Sequence, residues 1–217
     1  MSGRLPQLRP EDLNDAQRPL YDALVASFGP WADKAGFELI APDRSLLGPL
    51  NPLLFSPALG AAQIDVFHAD KATTSLPPRV HEVVILTVGA AWDSDYELYA
   101  HSATGRLAGL SDDVVEALLA SEPPDFRNDQ ETIAHAFTRQ LVGEHRVEAE
   151  TYARAQQEFG DKGLVDMVLL IGLYLATCSL INAFEVPAPD RIQRSAWIRV
   201  PHLDADPGHP SAPGRSA

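Results

Sequence analysis

The stretch HEVVILTVGAAWDSDYELYAH, from His81 to His101, decides how this chain is read. After Glu82 its first part is apolar on nearly every side, the pattern of a helix buried within a bundle. Its second part, at 3.6 residues per turn, sets Ser94, Glu97 and His101 at i, i+3 and i+7, about one stripe of a helix surface. The WDSD break between them joins the two helices as an antiparallel hairpin, which folds Glu82 back toward the inner face of the second. A carboxylate near a core costs on the order of several kcal/mol to keep charged alone, so it is paired, hydrogen-bonded or protonated. His101 is the candidate partner. The same spacing also fits a plainer arrangement, with Glu82 in solvent at a helix N-terminus and Glu97 with His101 as a surface pair.

Outward from this hairpin the chain reads as helices throughout. Pro10, Glu11 and Asp12 predict a helix start after an N-terminal arm, running to about Phe28. Helical spacing of Leu59, Ala62, Ile64, Val66 and Phe67 predicts a helix from Pro57 to about Thr73. Further helices are predicted at roughly 78–92, 94–109, 111–120, 128–145, 147–159 and 162–185, with Gly109, Ser111 and Asn128 as stop and cap signals. Between them, residues 29–57 carry five prolines with interspersed leucines, so this loop packs on something, as a clamp over the core or as a lid over a pocket. No strand-period segment competes, and the fold class is all-α. Residues 1–205 read as a single domain, and 206–217, rich in Pro, Gly, Ser and Asp, as a disordered tail.

Composition narrows the function classes. Seventeen Lys and Arg against 30 Asp and Glu, a net charge of −13, disfavour a nucleic-acid partner. The apolar run from Gly163 to Phe184 is interrupted by Asp166 and by small polar residues, so it reads as a buried central helix rather than a membrane span. The only cysteine, Cys178, cannot form an intrachain disulfide, and no signal-peptide pattern opens the chain, so a cytoplasmic protein is expected.

Glu82, eleven residues, the box Ser94-Asp95-Tyr96-Glu97, three residues and His101 resemble the motif of the AhpD-like and carboxymuconolactone decarboxylase superfamily. The likeness extends through Gly109-Leu110, upstream through LLGPLNPLLFSPALG, and near the end through GLVDMVLLIGLYLATCSLINAFEVPAP, covering roughly residues 44–189. It implies an AhpD-like helical bundle assembled as a homotrimer or hexamer. In the peroxidase branch the box is C-x-x-C; here Ser94 and Glu97 stand at the two cysteine positions, and a serine and a carboxylate cannot cycle through a disulfide. Alkylhydroperoxidase activity is therefore disfavoured, with Cys178 read as a small apolar filler. The decarboxylase branch also lacks the cysteines and carries a Glu-Leu pair before the histidine, as Glu97, Leu98 and His101 do; Glu82 looks more like the relay glutamate of the peroxidase side.

The resemblance implies a cofactor-independent lyase acting on a small carboxylated lactone or keto acid, with isomerase or lactone hydrolase as alternatives and a non-catalytic oligomeric scaffold as another. His101 is the expected proton donor, Glu97 its orienting group and Glu82 its partner or relay. Ser94, Tyr96, Trp92, Tyr174 and Asn182 are candidate pocket residues, and Arg79 or Arg106 a candidate holder of a substrate carboxylate. No cofactor or metal is expected: Glu131 and His135 repeat the i, i+4 spacing, but solvated helix faces explain them. His68 and His81 have no partner at recognisable spacing, His145 belongs to a polar turn, and His202 and His209 fall in the tail.

Overall fold

In a computed structural model, residues 3–189 are described. The predicted tail, the end of the 1–205 domain, His202 and His209 lie outside them. Among the described residues the chain forms eight helices, with one isolated antiparallel bridge between Ile40 and Leu46: α1 Arg18–Ala35, α2 Leu50–Leu53, α3 Pro57–Thr73, α4 Pro78–Ala91, α5 Asp95–Leu107, α6 Asp112–Leu119, α7 Asp129–Glu144 and α8 Ala149–Ala183. The all-α reading holds.

The opening differs from the predicted helix. Pro10–Asp12 makes a single 3-10 turn, and α1 begins only after Asn14 and Gln17 close a reciprocal cap. Asn14 Oδ1 accepts from the Gln17 amide and Gln17 Oε1 from the Asn14 amide, each at 3.0 Å. The helix then runs through Pro30, because Pro30 and Ala26, whose carbonyl loses its amide partner, are both exposed. It stops at Gly36, in the left-handed region at φ 81°.

α4 is the helix at the centre. It packs against α5, α6, α7 and α8, and its residues from Val83 to Gly89 are buried without a break. The α4–α5 approach is close at Gly89, where a Cβ would stand 3.2 Å from Leu98 Cδ2. The stretch read as a buried central helix is instead half a surface helix: Val165, Val168 and Leu169 of α8 are 57 %, 44 % and 65 % exposed. By length and composition alone α8 also meets the requirement for a membrane span, with half of that stretch buried inside the protein. Its backbone breaks at Gly160, φ 65° and ψ 177°, which separates the two helices predicted there.

Residues 36–49 form the clamp, and α5 holds it. Tyr99 Oη accepts from the Glu38 amide at 2.8 Å and Tyr96 Oη donates to the Glu38 carbonyl at 2.6 Å. Gly48, at φ 63°, lies against the Tyr96 ring, where a Cβ would collide with it. The loop buries Phe37, Leu39 and Leu46 in a cluster with Leu20, Leu24 and Leu54.

Candidate functional site

The hairpin places its ionisable residues together. Glu82, in the second turn of α4, faces the stripe of α5 that carries Glu97 and His101. His101 Nδ1 lies 2.8 Å from Glu82 Oε2, and Thr104, one turn further along the stripe, donates its hydroxyl to the same oxygen at 2.8 Å. On the other ring edge, His101 Nε2 lies 3.3 Å from Glu97 Oε2. That contact is close enough for charge pairing but not aligned as a hydrogen bond, so Glu97 Oε2 is buried without a hydrogen-bond partner. The surface-pair alternative is thereby excluded: Glu97 and His101 are each only 4 % exposed.

The three groups divide their protons unequally. Burial pushes the Glu82 carboxyl up, but the His101 charge, its hydrogen bond, His81 and Thr104 outweigh it and hold Glu82 below the usual carboxylate range. Burial pulls His101 down, and the carboxylates of Glu82 and Glu97 more than reverse this, so the imidazolium is favoured. For Glu97 burial wins: with Glu82 adding to it and His101 opposing, the carboxyl lies above its usual range. The arrangement is therefore a close pair, Glu82 with His101, beside a second carboxyl whose acid form burial favours.

Glu82, Glu97 and His101 line a cavity of about 400 Å³. Its walls come from α1 (Phe28, Trp31), the clamp (Phe37, Leu39), α2 (Leu50), α3 (Phe67) and α8 (Tyr174), with His68, Asp70, Lys71 and His81 also lining it. The Tyr174 ring stands edge-on to His101 at 5.1 Å and Trp31 tilts over it at 5.8 Å. Burial, with Glu97 and Glu82 nearby, holds the Tyr174 hydroxyl well above its usual pKa. The predicted loop 29–57 thus divides among the end of α1, the clamp and α2, and each of the three lines the cavity.

Of the predicted pocket residues, Tyr96 and Tyr174 line this cavity. Trp92 and Asn182 do not. Trp92 ends α4 with its ring partly exposed, and its carbonyl accepts from Asn182 Nδ2 at 2.6 Å, a tie between chain segments at the surface. Ser94 is fully buried behind the lining, its hydroxyl without a well-formed hydrogen bond beside the Cys178 thiol. Cys178, remote in sequence, thus packs behind the Ser94–Glu97 box; burial and Glu97 push its thiol up beyond the ordinary range, and Ser94 reverses this only in part. A thiol held protonated is a poor nucleophile.

Other assignments change. Glu131 is fully buried rather than solvated and takes both Arg79 Nε, at 2.7 Å, and Arg79 Nη2, at 3.2 Å. Arg79 also donates to the Gly109 carbonyl, so it is engaged away from the cavity. Arg106 is held by Asp112 at 2.6 Å and by the Ser102 carbonyl. His135 is half-buried against Thr87 and Phe126, and burial, with Arg139, pushes it down to about 4. His81 does have a partner, Asp70 at 2.8 Å, and His68 meets Ser27 at 3.1 Å. The aromatic walls and the Asp70–His81 pair join separate helices, so no sequence spacing announces them. Thr104, on the same 3.6-residue stripe as His101, could have been found.

By sequence the chain matches no family model and no curated protein. Its structural neighbours are AhpD-like and peroxidase-related proteins. A peroxidase-related protein of Ralstonia eutropha JMP134 with an alkylhydroperoxidase AhpD core superposes with a TM-score of 0.68 at 17 % identity, over 88 % of this chain and 94 % of that one. The debrominase Bmp8 in complex with 2,3,4-tribromopyrrole gives 0.65 at 16 %, over 87 % and 94 %. A peroxidase-related protein of Silicibacter sp. TM1040 gives 0.65 at 15 %, over 88 % and 93 %. At these identities the likeness is one of fold: this is the AhpD-like all-α fold.

Proposed function

We propose that this protein is a cofactor-independent acid/base enzyme of the carboxymuconolactone decarboxylase kind, moving a proton at carbon in a small cyclic carbonyl compound. One observation carries the reading: the Glu82–His101 pair and a Glu97 oxygen without a hydrogen bond come together in the lining of a mostly apolar cavity. A scaffold has no use for such a cavity. The protein bound to tribromopyrrole supports a ring-sized ligand on this fold.

In this reading Glu97, rather than His101, is the donor nearest the substrate. Its acid proton passes to the carbon where negative charge develops, and the carboxylate left behind is stabilised by the His101 imidazolium 3.3 Å away. Where carbon dioxide has left, His101 returns a proton to Glu97 and regains one from solvent, while Glu82 keeps the ring oriented through its 2.8 Å contact. In an isomerisation the Glu97 acid gives its proton to one carbon of the substrate, and the carboxylate so formed takes a proton from another, which restores the acid. With Arg79 and Arg106 engaged elsewhere, this mass-neutral transfer is preferred over loss of carbon dioxide. Decarboxylation is the second reading, favoured by Lys71 among the lining residues and by an apolar interior that disfavours a carboxylate ground state.

The test is a panel of cyclic enones, lactones and their carboxylated analogues in deuterium oxide, followed by mass spectrometry. Deuterium uptake or isomerisation that falls about 10²- to 10⁴-fold in His101→Ala and Glu97→Gln supports the assignment. A loss of carbon dioxide with the same dependence moves it to decarboxylation. Equal turnover in wild type and both variants removes these residues from the chemistry. We also propose a homo-oligomer, a trimer or hexamer by family resemblance. Supporting it, Leu59 and Val66 of α3, like Val165, Val168 and Leu169 of α8, are exposed.

A further inference from the structure

The charges around the cavity are arranged for a ligand that brings none. Two carboxyl groups, Glu82 and Glu97, face the His101 imidazole, so a bound carboxylate beside them would compete for a cation that Glu82 already pairs. Other cations are engaged elsewhere: Arg79 by Glu131 and the Gly109 carbonyl, Arg106 by Asp112, Lys162 by Asp166 and the Thr73 carbonyl. Among the described residues Lys71 is the one Lys or Arg that lines the cavity, and it is solvent-exposed. Of the buried side-chain oxygens left without a hydrogen bond among the described residues, Glu97 Oε2 is the one whose residue lines the cavity. Its surroundings are rings: Trp31 edge-on to Phe37 at 4.8 Å, and Phe67 edge-on to Tyr174 at 5.9 Å.

We infer that the site selects an uncharged, planar cyclic compound that presents a carbonyl or similar acceptor oxygen to Glu97, and discriminates against carboxylates of the same shape. This rests on the acid/base reading of the same site and specifies its substrate class. An acceptor oxygen completes the hydrogen bond that Glu97 lacks, and aromatic walls suit a flat ring; at about 400 Å³ the cavity is of ordinary small-molecule size. A carboxylate loses its hydration on entry and finds no buried cation left to pair with it beside Glu97, which is the costly case.

Binding then depends on pH through Glu97. The titratable groups facing it are His101 on its own helix, Glu82 from α4, Tyr174 and Cys178 from α8, and the neighbouring Tyr96. Burial and Glu82 favour the acid form, which supplies the donor; as pH rises through its raised pKa the donor disappears and acceptor ligands weaken.

The experiment is calorimetric titration of the full chain with acetophenone, benzoate and ethylbenzene, which share a ring and differ in acceptor and charge. Acetophenone is expected to bind at least ten-fold more tightly than either, with affinity falling as pH rises. Glu97→Gln, whose amide still donates, keeps the preference over ethylbenzene and loses the pH dependence; Glu97→Leu loses the preference. The inference is overturned if benzoate binds as tightly as acetophenone, most directly if Lys71→Ala then weakens it, or if acetophenone gains nothing over ethylbenzene or does not bind. Should Glu97→Leu fail to fold, the flat pH profile of Glu97→Gln still decides. Binding is read without turnover, so an intact ranking with no deuterium exchange sinks the catalytic reading alone, and exchange with a reversed ranking sinks this inference alone.

Discussion

Replacing Glu82 by Gln tests the electrostatic account of the site most directly. The amide keeps the size of the carboxylate and an oxygen to accept from Thr104 and His101 Nδ1, both now 2.8 Å from Glu82 Oε2. What it removes is the charge that holds His101 protonated. Burial then acts on the imidazole with only Glu97 against it, so His101, raised above 6.5 in wild type, should titrate below 6.5 in the variant. Because the histidine escapes by losing its proton, no buried charge is left stranded at neutral pH. The loss of stability should therefore be about 1–3 kcal/mol, as for a broken buried hydrogen bond, rather than the ~3–5 kcal/mol of an orphaned buried ion. Against a typical domain stability of about 5–15 kcal/mol the variant stays folded and measurable.

The pH window follows from the two shifts. Glu82, lowered on folding, contributes stability that is present above about 4.5 and is lost as pH falls through its folded value. His101, raised on folding, contributes stability that is complete below about 6.5 and is lost as pH rises through its folded value. The wild-type advantage should thus be largest between these limits and shrink on either side. Denaturant titrations across that range, with nitrogen chemical shifts of the His101 ring, measure both effects. A His101 that still titrates above 6.5 in Glu82→Gln, or a stability difference independent of pH, would refute the reasoning.

Three further outcomes are expected. Gly48→Ala should cost about 3 kcal/mol, from the positive φ of 63° together with the collision of its Cβ with a Tyr96 ring fixed at both ends, and a fall in Tm measures it. Arg79→Met strands the fully buried Glu131 and should cost about 3–5 kcal/mol in denaturant titration, most of it recovered in the double variant with Glu131→Leu. Leu169→Asp, on the exposed stripe of α8, should shift sedimentation toward monomer while leaving far-ultraviolet circular dichroism unchanged.

Much of the secondary structure was legible because helix ends are local events. Pro57 and Pro78 start α3 and α4 where the sequence places them, Asn128 caps α7 with its side chain on the Gln130 amide, and Gly160 interrupts α8 at the predicted break. The miss at the N-terminus has the same origin: Pro10 with two acids resembles a helix start, but the Asn14–Gln17 cap lies only a few residues on and offers better-satisfied amides.

The candidate site divides along the same line. The stripe of Ser94, Glu97 and His101 is a consequence of helical period, and a hairpin break as short as WDSD leaves α4 little choice but to return Glu82 to it. Those relations are written in residues within one hairpin. The protonation pattern is not: it depends on how far Glu97 is buried, and Tyr174 of α8 with Trp31 and Phe37 enclose the cavity it lines only once the whole bundle has packed. Packing likewise sent Arg79 to Glu131, set Cys178 behind Ser94, and drew Trp92 and Asn182 away from the cavity. Periodicity along a helix tells which residues share a face, whereas what that face meets is set by side-chain volume and charge across elements far apart in the chain.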